Sequence, residues 1–411
     1  MKTEKIETVI IGGGQAGLSA SYYLQNAQRD HIVLEKYNLP ASAWTKQRWD
    51  SFTLVTPNWA FCIPGAEYQD ADPKGFMPRK EVVRRFSEYV GQYQLPLQYE
   101  IEVRSVAPVE AGWLVATDKK TYLAANTIIA TGLFQKGKIP PFASRIPKDV
   151  HQMAACDYRN PETLPPGGVL VVGSGQSGAQ IAEELNDSGR KVYLCVSGAG
   201  RSPRRYRGRD GFEWGVVTGA FDQTVDKLPS LSDRFSGSYH VTGKNGGHNL
   251  NLHQFYRKGI VLLGHIRDIQ DGKIGLKPDL KESLSKADRA ESEFLKLIDA
   301  TILKMGLPDP PEDYPVFTDG YAAPEILSLD LKSSGISTVI WACGFHFDFG
   351  MVKVGVFDEF GFPITERGKT QFPGLYFLGM PWLYTQKSGN LFGVGEDAQY
   401  ITDQIMKESR K

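Results

Sequence analysis

The 411-residue sequence has little cysteine, no excess of either charge and no long apolar run. Its four cysteines, Cys62, Cys156, Cys195 and Cys343, form no CxxC pair and no His/Cys cluster at metal-ligand spacing. That pattern argues against a disulfide scaffold, a zinc ribbon and a redox dithiol. Lys+Arg and Asp+Glu both number 47, so the net charge is zero and nothing global draws the chain to nucleic acid or anionic lipid. No segment reaches the roughly 18 to 20 apolar residues that span a bilayer. The start, MKTEKIETVIIGGG, sets acidic residues before a very short apolar run and reads as a folded strand, not a signal peptide. These features predict a reducing, cytoplasmic compartment. His248 and His253 have no third ligand nearby, so no metal is expected and both read as loop or surface histidines.

What is present is an ordinary globular composition, 41% hydrophobic and 23% charged, with 43 glycines. At roughly 150 residues per domain the length predicts two or three domains.

Two glycine-rich turns carry the strongest signal. Residues 7–11 form a short apolar strand, followed by Gly12-Gly13-Gly14-Gln15-Ala16-Gly17 and a helical stretch over 18–25. This is GxGxxG in its strand–turn–helix setting. Gly12 permits the tight turn, Gly14 lets the backbone approach a pyrophosphate, and Gly17 lets helix and strand pack closely. The helix amino terminus offers unpaired N–H groups to the phosphates. A second strand, 31–34, ends in Glu35, beside Lys36 and 18 residues past Gly17, where a carboxylate can accept ribose hydroxyls.

The same grammar returns as a strand over 168–172, the turn Gly173-Ser174-Gly175-Gln176-Ser177-Gly178, and a helix over 179–186. At the offset of Glu35 this copy has Val196-Ser197, with no carboxylate for a 2′-hydroxyl. Arg201, Arg204 and Arg205 follow, which is chemistry suited to a 2′-phosphate. The first turn therefore suits FAD and the second NADPH better than NADH. A solvated loop is the competing reading of the arginine-rich stretch 201–209, and a nucleic-acid patch is disfavoured by the neutral net charge.

The remaining strands read as 122–130, running into Ala130-Thr131-Gly132, and 338–342, running into Cys343-Gly344. Both are expected to close the flavin domain. Near the end a strand over 373–379 and a helix over 393–406 offer the flavin one more helix amino terminus. Residues 281–305 read as a pair of surface helices and 307–315 as a linker. The expected fold is α/β: two Rossmann-like dinucleotide-binding domains, the second inserted in the first. An FAD-binding domain would comprise 1–165 and 334–411, and an NAD(P)H-binding domain with a helical insertion 166–333.

With both turns and the segments 130–132 and 341–344 located, the chain resembles flavin-dependent monooxygenases of the two-dinucleotide-domain type, a group that includes flavin-containing, Baeyer–Villiger and N-hydroxylating enzymes. The resemblance covers nearly the whole length. WTKQRWDSFTLVTPNWAFCIP, beginning at Trp44, is similar to the family's flavin-proximal stretch, in which an Asn or Lys nears the isoalloxazine; Asn58 matches that position. GFMPRKEVV, from Gly75, resembles the segment that opens the next helix. RWDSFTLVTPNW, DYRNP, RRYRGRD and FLGMPWLYTQKSG resemble more narrowly a bacterial subgroup of flavin-dependent oxidoreductases found beside nitrilase genes. One departure concerns the family's His-Ser-x-x-Tyr linker element. Here Ala154 stands in place of the histidine, while Tyr158 and Arg159 keep the tyrosine and a basic residue.

The resemblance implies FAD reduced by NADPH, oxygen added at C4a of the flavin, and one oxygen atom passed to a small organic substrate. Few protein acids or bases are needed. Asn58 is the candidate donor beside the flavin, with a turn residue after Pro57 as the plainer role. Arg48 is the second candidate, with an ion pair to Asp50 or a neighbouring carboxylate as its plainer role. The rivals are an NAD(P)H-dependent flavoprotein reductase or oxidase serving a partner or quinone, and a non-catalytic redox sensor. A homodimer is compatible with all three.

Overall fold

A strand buried on both faces reads as a continuous apolar run, and such strands belong to parallel sheets covered by helices. The computed structural model describes residues 3–198, 200–235 and 239–408. In it β1 (Thr3–Ile11) buries its last four residues completely, then leads into α1 (Gln15–Asn26) and β2 (His31–Leu34). There follow α2 (Arg79–Gln92), β3 (Leu97–Gln98) and an antiparallel meander of β4 (Val103–Val109), β5 (Gly112–Thr117) and β6 (Thr121–Ile129). The middle of the chain carries β7 (His151–Ala154), β8 (Gly168–Val172), α3 (Gln176–Asp187), β9 (Val192–Cys195), β10 (Val261–Leu263), α4 (Leu280–Met305) and β11 (Ile336–Trp341). Then come β12 (Leu375–Phe377) and α5 (Val394–Glu408).

The α/β character is plain, and two sheets repeat one parallel order. In the first, β3, β2, β1, β6 and β12 are successive parallel neighbours. In the second, the order is β10, β9, β8, β11, β7, again all parallel. Alternate residues feed a core on each face: Ile10 packs with Leu18, Phe86 and Ile401, while Val9 and Ile11 pack with Trp113, Phe349 and Phe377. The second sheet does the same, with Val171 on one face and Val172 on the other. Each such side chain contributes roughly 1.5–3 kcal/mol by leaving water.

Three expectations need correction. The strand at 338–342 does not close the first sheet: β11 pairs with β8 and β7 in the second. It holds there the place that β6 holds beside β1, and the second sheet accordingly extends beyond 166–333 at both ends. The stretch 281–305 is one 26-residue helix and not a pair. It contains no Gly or Pro to break it, and it stops at Gly306, whose φ of 62° ends it in the left-handed region. Finally, His253 is no surface residue but completely buried on a short helix, Leu252–Arg257. Among the described residues no helix is long and apolar enough to cross a membrane.

Candidate functional site: two glycine turns and the seam between them

The two turns are near copies at atomic level. Gly12 N donates to Leu34 O at 2.9 Å and Gly173 N to Cys195 O at 3.1 Å. A Cβ on Gly17 would stand 2.0 Å from Gly12 O, and one on Gly178 would stand 1.9 Å from Gly173 O, so only glycine lets each helix sit this close to its turn. Gly12 (φ 112°) and Gly173 (φ 103°) each lie against the end of the next parallel strand, at Ala130 O and Ala342 O. Thus 341–344 is the second unit's counterpart of 129–132.

The residues present fit dinucleotides. A Cβ on Gly14 or Gly175 would meet nothing within 4 Å, leaving room for phosphate at both turns. Neither Gly14 nor Gly175 has a side-chain cap, so the first N–H groups of the 12-residue helices α1 and α3 are free of local acceptors. Ala16 and Gly17 are buried in α1, and Gln15 Nε2 reaches Gly389 O at 2.9 Å, tying the first turn to the approach to α5. In the second turn Gln176 donates to Val241 O, its Oε1 is buried without a protein partner, and Ser177 is half-buried.

Glu35 is buried beneath the first turn. It accepts from Gly13 N (2.9 Å), Tyr37 N (3.0 Å) and Ser42 Oγ (3.1 Å). A carboxylate has about four acceptor positions, so capacity for a ribose hydroxyl remains. Lys36 is exposed, its ammonium 4.9 Å from the Tyr37 ring centroid. Thr131 and Gly132 are held by Gln135, whose Nε2 donates to Thr131 Oγ1 (3.1 Å) and Gly132 O (2.7 Å).

Between the units lies the segment of Trp44 and Arg48. Trp44 packs against cores of both. The Arg48 guanidinium lies over Trp44, Phe52 and Phe134, at 5.9, 5.4 and 5.2 Å from the ring centroids. Its recorded hydrogen bond goes to Gln47 O, and the expected ion pair with Asp50 is absent, because Asp50 binds Arg79 (2.9 Å) and Asn160 (2.7 Å). Desolvation among the rings lowers the Arg48 pKa to about 10, still charged at neutral pH.

Two sets of expected contacts are not where the sequence reading put them. Asn58 is buried, its Nδ2 donating to Asp72 O (2.9 Å) and its Oδ1 accepting from Met77 N (2.6 Å). Both ends of the amide clamp the chain at 72–77, a structural role that uses Oδ1 and one of the two Nδ2 hydrogens. Arg201 and Arg204 are also buried. Arg201 Nη2 binds Asp288 (2.7 Å) and Glu291 (2.8 Å); Arg204 binds Asp210 and donates to Val55 O (2.7 Å). Guanidiniums this deep need carboxylates to offset desolvation, which is why the acids of α4 draw Arg201 inward. Arg205 remains exposed and donates to Gly246 O and Gly247 O.

The sequence reading also missed Phe134, Gln135, Ser174 and Ser197. Ser197 N donates to Ser174 Oγ at 2.9 Å, locking the loop after β9 onto the second turn. The signal for Ser174 lay in the turn itself, whereas Phe134 and Gln135 carry no pattern. Among the described residues no three or more His, Cys, Asp or Glu gather as metal ligands; His248 binds Glu183, and His253 binds Asp288 and accepts from Gly320 N.

Comparison with known proteins agrees with this geometry. Residues 9–209 match the Pyridine nucleotide-disulphide oxidoreductase family. A CzcO-like oxidoreductase of Geobacillus kaustophilus is 32% identical over 404 residues, covering 98% of each chain. A flavin monooxygenase from Stenotrophomonas maltophilia shares the fold at a TM-score of 0.69 with 19% identity, over 99% of this chain and 100% of that one. A bacillithiol disulfide reductase from Bacillus cereus does so at 0.63 with 17% identity, over 98% and 100%. The chain belongs to the CzcO-like oxidoreductase family.

Proposed function

We propose that the protein is a two-dinucleotide-domain flavin-dependent monooxygenase that uses NADPH and dioxygen to oxygenate a small organic substrate. The FAD-binding domain comprises the chain to about residue 135 and again from about 345. The Rossmann-like NADPH-binding domain, inserted between, runs from β7 through β11. FAD sits at the first turn over Glu35 and NADPH at the second. Bound FAD, once reduced by NADPH, supplies the oxygen-activating chemistry. The chain's own part is to bind, orient and exclude water.

The observation that carries this reading is Arg48: a cation at the seam of the two units, packed among three aromatic rings, with no carboxylate partner among the described residues. Such a group stabilises negative charge developing on oxygen. Trp44, Phe52 and the half-exposed Phe134 cover part of it from water, which strengthens its field.

The likeness to a disulfide reductase favours a second reading, a flavoprotein reductase. The thiols speak against the version of it that relays electrons through a protein dithiol. Burial pushes up the pKa of Cys62, Cys156, Cys195 and Cys343 alike, whereas a reductase thiol needs a depressed one. All four are free, which suits a reducing cytoplasm. Anaerobic titration with NADPH tests the assignment: the yellow protein should bleach and recover colour with dioxygen alone. Rapid recovery only with a disulfide, quinone or protein acceptor would favour the reductase.

A further inference from the structure

With Arg201 and Arg204 buried on carboxylates and Arg205 turned to the carbonyls of Gly246 and Gly247, a 2′-phosphate at the second unit calls for a further cation at the strand end itself. The site can be located by register. Leu34 pairs with Ile11 in the first sheet, and Cys195 pairs with Val172 in the second, so Glu35 and Val196 occupy equivalent positions one residue further on. A dinucleotide's ribose hydroxyls are read at this strand end. In the first unit it is acidic; in the second it consists of buried Val196, half-buried Ser197 and exposed Gly198.

What crosses it comes from 88 residues away. A Cβ on Gly198 would stand 3.2 Å from Lys286 Cδ, so the stem of Lys286, on α4, lies over the glycine. Among the described residues its ammonium is held by Glu282 at 2.8 Å, an exposed i,i+4 pair on the same helix with side chains 57% and 66% exposed. Such pairs are worth a few tenths of a kcal/mol, so a dianionic phosphate can recruit the lysine. The buried arginine explains the placement: Arg201 pins α4 through Asp288 and Glu291, which lie across the helix from Lys286, and so holds the helix beside the strand end with Lys286 turned to solvent.

We infer that Lys286, reaching over Gly198 beside the Ser197 hydroxyl, is the residue that selects NADPH over NADH. Arg201 acts through it as a positioning residue. The inference rests on the assignment of a nicotinamide coenzyme to the second turn.

Calorimetric titration of the FAD-loaded protein with 2′,5′-ADP and with 5′-AMP tests it without turnover. The two probes differ only in the 2′-phosphate. Wild type should bind 2′,5′-ADP the more tightly. Lys286→Ala should weaken 2′,5′-ADP about tenfold, the scale of one charge-assisted contact, and leave 5′-AMP unchanged. Lys286→Arg should restore most of the difference, and Lys281→Ala, on the same helix, should leave both values alone. An unchanged 2′,5′-ADP affinity in Lys286→Ala, or an equal loss for both probes, would overturn the role of Lys286. If wild type shows no preference between the probes, the NADPH assignment itself fails.

Discussion

Arg201 and Asp288 meet across the loop that follows β9, Nη2 to Oδ1 at 2.7 Å, and the pair joins that loop to the long helix α4. Asp288 also accepts from His253 Nε2 and from the Tyr321 hydroxyl at 2.6 Å. His253 Nδ1 accepts from Gly320 N, so its Nε2 carries the proton donated to Asp288. The network joins two buried groups, the Arg201 guanidinium and the His253 imidazole, through a carboxylate that is itself 28% exposed.

This network sets an acid limit on stability. Burial opposes ionisation of Asp288, but hydrogen bonds from His253, Tyr321 and Arg201 outweigh it and hold the carboxyl at about 2, below its ordinary 3.8. A depressed carboxyl stabilises the fold above its unfolded pKa, and that contribution is lost as pH falls from about 4 towards 2. Asp288→Asn should flatten the stability profile in that window. Arg201→Ala, which leaves two acids without their cation, should cost about 3–5 kcal/mol. Chemical denaturation as a function of pH measures both.

The duplicated turns predict separable losses. Gly17→Ala drives a Cβ into Gly12 O and should release FAD, seen as a fall in visible absorbance per protein. Gly178→Ala does the same at Gly173 O and should keep the flavin while weakening NADPH. Each should cost about 1–3 kcal/mol of stability through overpacking.

Arg48 is placed to act on charge and not on folding. Arg48→Ala should retain FAD and a near-native Tm. Oxygenation should fall by about 10²-fold, with NADPH oxidation diverted to hydrogen peroxide. Lys at this position should recover part of the coupling. Because its pKa is lowered to about 10, wild-type coupling should decline as pH rises through that value, and the decline should be absent in Arg48→Ala.

Asn58 should behave oppositely. Asn58→Ala strands the Met77 N–H and Asp72 carbonyl and should lower stability by about 1–3 kcal/mol. The ratio of product to NADPH in the surviving folded enzyme should stay near that of wild type, as product assays normalised to bound flavin would show.

Local chemistry was the legible part of this chain. Gly12, Gly14, Gly17 and their counterparts obey steric limits set within a few residues, so the strand–turn–helix units could be read directly, as could β2 and β8. The assignment of β11 was not legible, because 129–132 and 341–344 are the same motif and only strand pairing decides which sheet each joins. The burial of Arg201 and Arg204 was not legible for a related reason. Whether a guanidinium faces a coenzyme or a buried acid depends on α4, some 90 residues on, and no spacing rule links Arg201 to Asp288. Asn58 was found by resemblance, and its clamp on 72–77 is visible only once the backbone is folded. The surroundings of Arg48 were partly legible because its neighbours Trp44 and Phe52 are local, whereas the engagement of Asp50 by Arg79 and Asn160 was not.

The central claim, that the flavin site passes oxygen to an organic substrate, is tested most directly with isotopically labelled dioxygen. The enzyme, NADPH and a panel of sulfides, amines and ketones would be incubated under ¹⁸O₂ and the products examined by mass spectrometry. The account predicts one ¹⁸O atom per oxygenated product, one NADPH consumed for each, and more hydrogen peroxide when Arg48 is removed. NADPH oxidation across the panel with no label in any product, together with faster anaerobic turnover on a disulfide or quinone, would contradict it.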